Sequence, residues 1–256
     1  MNICIFFEGT GNGVAGNITN VTRMHDLCAN DASQLLHLEP GPGTHFGSYL
    51  FGRIAGVDWR TSFRGARRFV EKHYKSLPVD GIRTRVYIFG FSRGALLARH
   101  MAEWLDKLSI PVDYMGLWDT VDATIGLEVE EECTKNVMKA RHAVARDEER
   151  KFFCYLPLRG DGNRVSEVLF PGTHSDVGGL YADNHLMADL ALSWIAQGAK
   201  NAGLKLAKGV KLSQKLDKSK VVLHDSHSLV SNLWGVFERV KRNISKLKLH
   251  RACKDL

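Results

Sequence analysis

The chain has 256 residues, 44% hydrophobic and 25% charged, with 24 glycines and six prolines; that make-up builds a core and excludes collagen-like, low-complexity and wholly disordered chains. Its formal charge of +7 is unevenly placed: 14 of the 35 Lys and Arg but only four of the 28 Asp and Glu lie from Lys200 onward, so residues 1–199 carry −3. No uncharged apolar run approaches the roughly 18 residues of a membrane span, and the amino end, MNICIFFEGTGN, lacks the basic stretch of a signal peptide.

Residues 2–7 (NICIFF) form an apolar run without helical period that ends in a Gly-rich segment, which predicts a buried first strand and a tight loop. A helix is predicted over 21–29 with Asn20 as its cap, and a short strand over 34–38 runs into the turn-former EPGPGT. A long helix follows over 61–75, closed by Pro78. The run RTRVYIFGF at 83–91 is rich in β-branched and aromatic residues and enters a helix former, ALLARHMAEWLDKL, through Gly90-Phe91-Ser92-Arg93-Gly94. Beyond it the pattern predicts a strand over 112–119, a charged helix over 137–150, a strand over 165–170, a helix over 186–202, a last strand over 221–224 and an amphipathic basic helix over 229–247. Strands alternating with helices of this length predict a single α/β domain. Its sheet is mainly parallel and covered on both faces. The five cysteines (Cys4, Cys28, Cys133, Cys154 and Cys253) show no CxxC or CxxH spacing and read as core thiols in a reducing compartment.

The chemistry concentrates at Gly90-x-Ser92-x-Gly94. A serine on a sharp strand-to-helix turn stands at the open end of the sheet, the flanking glycines permit the turn, and the helix amino end favours developing negative charge. An activated serine needs a base and the base an orienting carboxylate. Of 11 histidines, His174 and His224 follow predicted strands, where open α/β sheets build their sites. Asp119, Asp176 and Asp225 are placed equivalently. Both Ser92-Asp119-His174 and Ser92-Asp176-His224 satisfy the chain order of an α/β-hydrolase. Backbone N–H groups of Gly9 or Thr10 after the first strand, with that of Arg93 on the turn, are candidates for an oxyanion hole. No P-loop pattern and no metal-ligand spacing occurs, so neither a metal nor an organic cofactor is expected.

Six blocks, FEGTGN (7–12), GFSRGA (90–95), LWDTV (117–121), RHAVARDEERKFF (141–153), FPGTHSDVGGLY (170–181) and LHDS (223–226), together resemble the α/β-hydrolase domain of the type VI secretion lipase effectors of the first phospholipase class and their uncharacterised relatives. The resemblance covers most of residues 2–226. It implies a Ser-Asp-His carboxylic ester hydrolase of phospholipase A type, and it matches the family's serine, aspartate and histidine to Ser92, Asp119 and His174. Asp176 and His224 then become supporting residues. Glu8 stands where the family usually has aspartate, and Thr173 where it usually has valine. The resemblance also implies a phospholipid or other acyl ester substrate, cytoplasmic synthesis with export by a dedicated apparatus, and a secretion or immunity partner. The small size leaves room for two other readings, a soluble small-ester or thioester hydrolase and a catalytically silent ligand-binding module.

In domain terms, residues 1–228 read as the hydrolase domain and 229–256 as a basic helix and tail packed on it. That helix has Leu229, Leu233, Val236, Phe237, Val240, Ile244 and Leu247 near helical spacing. It suits either closure of the domain or peripheral contact with an anionic membrane. No RRM, KH, HTH or zinc-finger pattern points to nucleic acid.

Overall fold

The computed structural model describes residues 1–9, 18–41, 59–75, 83–122, 126–151, 153–226, 241–254 and 256. The strands are β1 (Asn2–Phe7), β2 (Gln34–Glu39), β3 (Arg85–Phe91), β4 (Tyr114–Trp118), β5 (Ala140–Ala145), β6 (Val165–Phe170) and β7 (Lys248–Leu249). The α-helices are α1 (Asn20–Leu27), α2 (Trp59–His73), α3 (Arg93–Lys107), α4 (His174–Gly178) and α5 (Leu186–Asn201). All seven strands pair in parallel in the order β2-β1-β3-β4-β5-β6-β7. The chain leaves β1 for β2 on one side and returns to β3 on the other, so the winding reverses at β1. Ligand crevices of open parallel sheets lie at the carboxyl ends of the strands beside such a reversal.

Alternation along β1 shows how the layers are built. Ile3, Ile5 and Phe7 join α2 and α3 in one core, while Cys4 and Phe6 join α1, α4 and α5 in the other. Each fully buried side chain of this size contributes roughly 1.5–3 kcal/mol, so a strand apolar on both faces is stable only with helices on both sides. The described strands meet that condition, and the fold is the expected α/β-hydrolase-like one. No helix among the described residues is long and apolar enough to cross a membrane.

The helices over 21–29, 61–75 and 186–202 are present within two residues of expectation. Thr19, not Asn20, caps α1: its hydroxyl accepts from the Val21 N–H at 3.0 Å. The Asn20 amide instead donates to the Val177 and Ala188 carbonyls, both at 2.9 Å, tying α1 to α4 and α5. Pro78 lies outside the described residues.

Two further expectations are overturned, and a third over the part of it that is described. The stretch predicted as a helix over 137–150 holds strand β5, whose alanines are good helix formers but whose backbone is taken by β4 and β6 on either side. His142 fixes the strand further, its Nε2 accepting from the Thr120 N–H (3.0 Å) and its Nδ1 meeting the Glu167 carboxylate (2.8 Å). Residues 221–224 are not a strand, and the final sheet position is filled by β7. Of the helix expected over 229–247, residues 229–240 lie outside the described residues and 241–247 are not helical. Four of the cysteines are buried as expected, and Cys154 is exposed.

Candidate active site

Ser92 sits between the last residue of β3 and the first of α3 with φ 60° and ψ −128°. A non-glycine residue there costs on the order of 1–3 kcal/mol and persists only where its surroundings enforce it. The enforcement is visible in the two glycines. A Cβ on Gly90 would come within 2.6 Å of the Ala95 Cα, and one on Gly94 would strike the end of β1, 2.7 Å from the Phe7 carbonyl carbon. The elbow is therefore drawn tightly both onto its own helix and against β1. The Ser92 N–H donates to the Trp118 carbonyl at 3.0 Å, anchoring the turn to β4.

Asp119 follows β4, also with positive φ (39°), and is fully buried. Its Oδ2 accepts from His174 Nδ1 at 2.6 Å and its Oδ1 from the Ala145 N–H at 2.8 Å. His174 opens α4 after β6, its ring stacked on Phe91 (centroids 4.5 Å apart) and met edge-on by Phe153 (4.9 Å). Phe91 immediately precedes Ser92, so the imidazole lies against the elbow. A carboxylate can only accept, so Nδ1 carries the proton and Nε2 keeps its lone pair. Burial lowers the His174 pKa and outweighs the Asp119 contact, favouring the neutral ring. Burial also works to raise the Asp119 pKa, but Arg242 and His174 overcome it and hold the carboxyl well below the usual range.

The structure brings Asp119 and His174 together, with the imidazole on Phe91, the residue before Ser92, and pairs Asp176 with His224 separately. Asp176 Oδ2 accepts from the Thr173 N–H (2.8 Å), closing a capping box on α4. Its Oδ1 meets His224 Nδ1 at 2.6 Å. His224 Nε2 meets Asp183 at 3.0 Å, and Tyr181 stacks on the ring at 3.7 Å. Burial disfavours the charged form of His224, but the Asp176 and Asp183 carboxylates prevail and raise its pKa. Both ring nitrogens are thus occupied.

Of the expected oxyanion donors, Arg93 is the first residue of α3, at the helix amino end. The Gly9 N–H instead donates to the Glu8 carboxylate at 3.2 Å, which corrects its expected orientation toward substrate. Thr10 lies outside the described residues. Glu8 itself is buried, accepts from the Thr19 hydroxyl at 2.8 Å and from the Thr22 hydroxyl, and so ties the end of β1 to the start of α1. Burial raises its pKa against those donors.

Two site residues escaped sequence reasoning. Glu148 is buried and accepts from the His174 N–H (3.2 Å) and from Arg150 Nη2 (2.8 Å). Burial would raise its pKa, but Arg150 brings it down to about 2. Glu148 lies in the RHAVARDEERKFF block of the family resemblance, but nothing there set it apart as a site residue. The second is Arg242, from the basic segment near the carboxyl end, whose guanidinium lies on Asp119. Nothing in its local sequence marks it. Beside Arg242 and Phe153 lies a cavity of about 640 Å³, with Tyr155 and Pro157 among its walls and Arg150, Lys241 and Lys246 among its cations.

A parallel sheet carrying a serine elbow after β3, with a His–Asp pair at the same edge, is an α/β-hydrolase architecture. The chain belongs to the family described as T6SS, phospholipase effector Tle1-like, catalytic domain, which matches residues 1–111 and 106–198. Among solved structures, the Tle1 effector bound to the VgrG spike from the type 6 secretion system aligns with TM-score 0.52 and 21% identity, over 70% of this chain and 51% of that one. An uncharacterized protein from Pseudomonas aeruginosa aligns with TM-score 0.55 and 19% identity, over 80% and 46% respectively. The chain therefore spans about half the length of these two proteins. No curated protein sequence matches it.

Proposed function

We propose that this chain is a serine hydrolase that cleaves carboxylic esters, with glycerophospholipids as the preferred substrate class. The observation that carries the reading is the buried His174–Asp119 pair, 2.6 Å apart, packed through Phe91 against the Ser92 elbow. Ser92 Oγ attacks the acyl carbon as His174 Nε2 takes its proton. The same nitrogen returns the proton to the leaving alcohol, and water then releases the acyl group by the reverse sequence. Asp119 holds Nδ1–H and stabilises the imidazolium as it forms. The Arg93 N–H, with a donor from the loop after β1, holds the oxyanion, each such donor being worth about 2.7–4 kcal/mol in the transition state.

Support for a glycerophospholipid comes from family membership and from the cavity beside Phe153, which combines apolar walls with more cations than carboxylates, Glu131 and Glu167 being the acidic residues of its lining. Export through a secretion spike, as the Tle1–VgrG complex illustrates for that protein, is part of the same proposal. The test is fluorophosphonate labelling of wild type and Ser92→Ala, with mass spectrometry to place the adduct, followed by release assays on labelled phospholipids and short esters. An adduct on Ser92 with fatty-acid release is the expected result. Turnover of short esters alone removes the lipid, and an unlabelled wild type removes the hydrolase.

A further inference from the structure

We propose that Arg242 is a positioning residue for this reaction, fixing both oxygens of Asp119 and sharing that carboxylate between itself and the His174 imidazole. The proposal rests on the Ser92-His174-Asp119 reading above. The contact is fork to fork: Nη1 donates to Oδ1 at 2.6 Å and Nη2 to Oδ2 at 3.0 Å, between residues 123 positions apart in the chain. The same two nitrogens donate to the Ala145 carbonyl (3.2 Å) and the Phe153 carbonyl (2.7 Å). Both side chains are buried, with 4% of Arg242 and none of Asp119 exposed. This is not the surface contact of a solvated basic tail, which contributes little. Here a paired charge is withdrawn from water, and removing one partner strands the other.

Two features point past a mere staple. First, Asp119 Oδ2 accepts from both His174 Nδ1 and Arg242 Nη2, so imidazole and guanidinium draw on one oxygen. Second, Arg242 holds the backbone of Phe153, whose ring packs edge-on against His174. The charged groups facing His174 are Asp119 at Nδ1, Glu148 at the backbone N–H, and Arg150, which pairs with Glu148 and covers the Phe153 ring. Those facing Asp119 are His174 and Arg242. Each carboxylate near the imidazole is thus matched by one arginine. Loss of Arg242 leaves Asp119 unmatched, which stabilises imidazolium and keeps the base protonated to higher pH.

The experiment measures the rate of fluorophosphonate labelling of Ser92 against pH in wild type, Arg242→Lys, Arg242→Met and, as a charge control, Lys248→Met. In Arg242→Met the acid limb moves up by about half to one pH unit and the plateau rate falls about 10- to 100-fold. Arg242→Lys keeps the charge and the wild-type limb but loses about 3- to 10-fold in plateau rate, because an ammonium does not grip two oxygens. Lys248→Met follows wild type. An unmoved limb with a plateau within about twofold in Arg242→Met, or an equal limb shift in both Arg242 variants, overturns the proposal while leaving the hydrolase intact. An unlabelled wild type overturns the hydrolase reading and this one with it. If Arg242→Met does not fold, Arg242→Lys decides: a reduced plateau on an unmoved limb supports the proposal, and a wild-type plateau overturns it.

Discussion

Two histidine–aspartate pairs flank α4, and each is joined by an Nδ1–Oδ contact of 2.6 Å. In the Asp119–His174 pair the histidine is buried between two phenylalanine rings, only one nitrogen meets a carboxylate among the described residues, and burial favours the neutral form. In the Asp176–His224 pair a carboxylate meets each nitrogen and the cation is favoured. The same short contact therefore serves opposite ends. In the proposed mechanism, what separates a base from a strut is the fate of the second nitrogen, not the length of the bond at the first.

The sharpest way to break this contrast is substitution of the two histidines. His174→Ala is expected to lower ester turnover by on the order of 10³–10⁴-fold, whereas His224→Ala stays within about tenfold of wild type; a reversal in steady-state kinetics would exchange the two roles. Asp119→Asn is expected to cost nearly as much as His174→Ala, on the order of 10³-fold or more, because an amide no longer selects the Nδ1–H tautomer. Retention of the wild-type rate would disconnect Asp119 from the chemistry.

The pairs also differ in how pH acts on stability. The folded pKa of His224 is raised above its unfolded value, so its contribution is fully present below the unfolded pKa and is lost as pH rises through the folded one. That of His174 is lowered, so folding favours the neutral ring; its contribution is present above the unfolded pKa and is lost as pH falls through the folded one. Thermal melts of His224→Gln and His174→Gln against wild type should accordingly diverge at opposite ends of the histidine range. Divergence at the same end would contradict the assignment of charge. The smallest effect is expected at Thr173, whose hydroxyl donates to Asp176 at 3.0 Å. Thr173→Val should cost about 1 kcal/mol in a denaturant titration and leave turnover unchanged.

The contrast also marks where sequence reading succeeds. The β1 and β3 strands and the serine elbow were legible because their pattern is local: β-branched and aromatic runs, then glycines where the backbone needs them. β5 was not, since alanines followed by a charged run carry a helical signal, and only β4 and β6 on either side make the segment a strand. Chain order alone admitted either histidine, because it says nothing of a carboxylate waiting at the second nitrogen. Arg242 was the least legible residue of all. Its neighbours read as an amphipathic basic helix suited to closing the domain or meeting an anionic membrane, and its partner lies 123 residues away.

That separation bears on how the molecule assembles. β1 pairs with β3 across 83 positions (Asn2 to Arg85) and Asp119 meets His174 across 55, whereas Arg242 meets Asp119 across 123. β7 joins β6 only at Lys248 and Leu249. Contacts of such range are rewarded only after their loop-closure entropy has been met. The elbow at Ser92 and the Asp119–His174 contact can therefore form while the Asp119 carboxylate still lacks its guanidinium. On loop-closure grounds the Arg242 clamp is the last of these contacts to be rewarded.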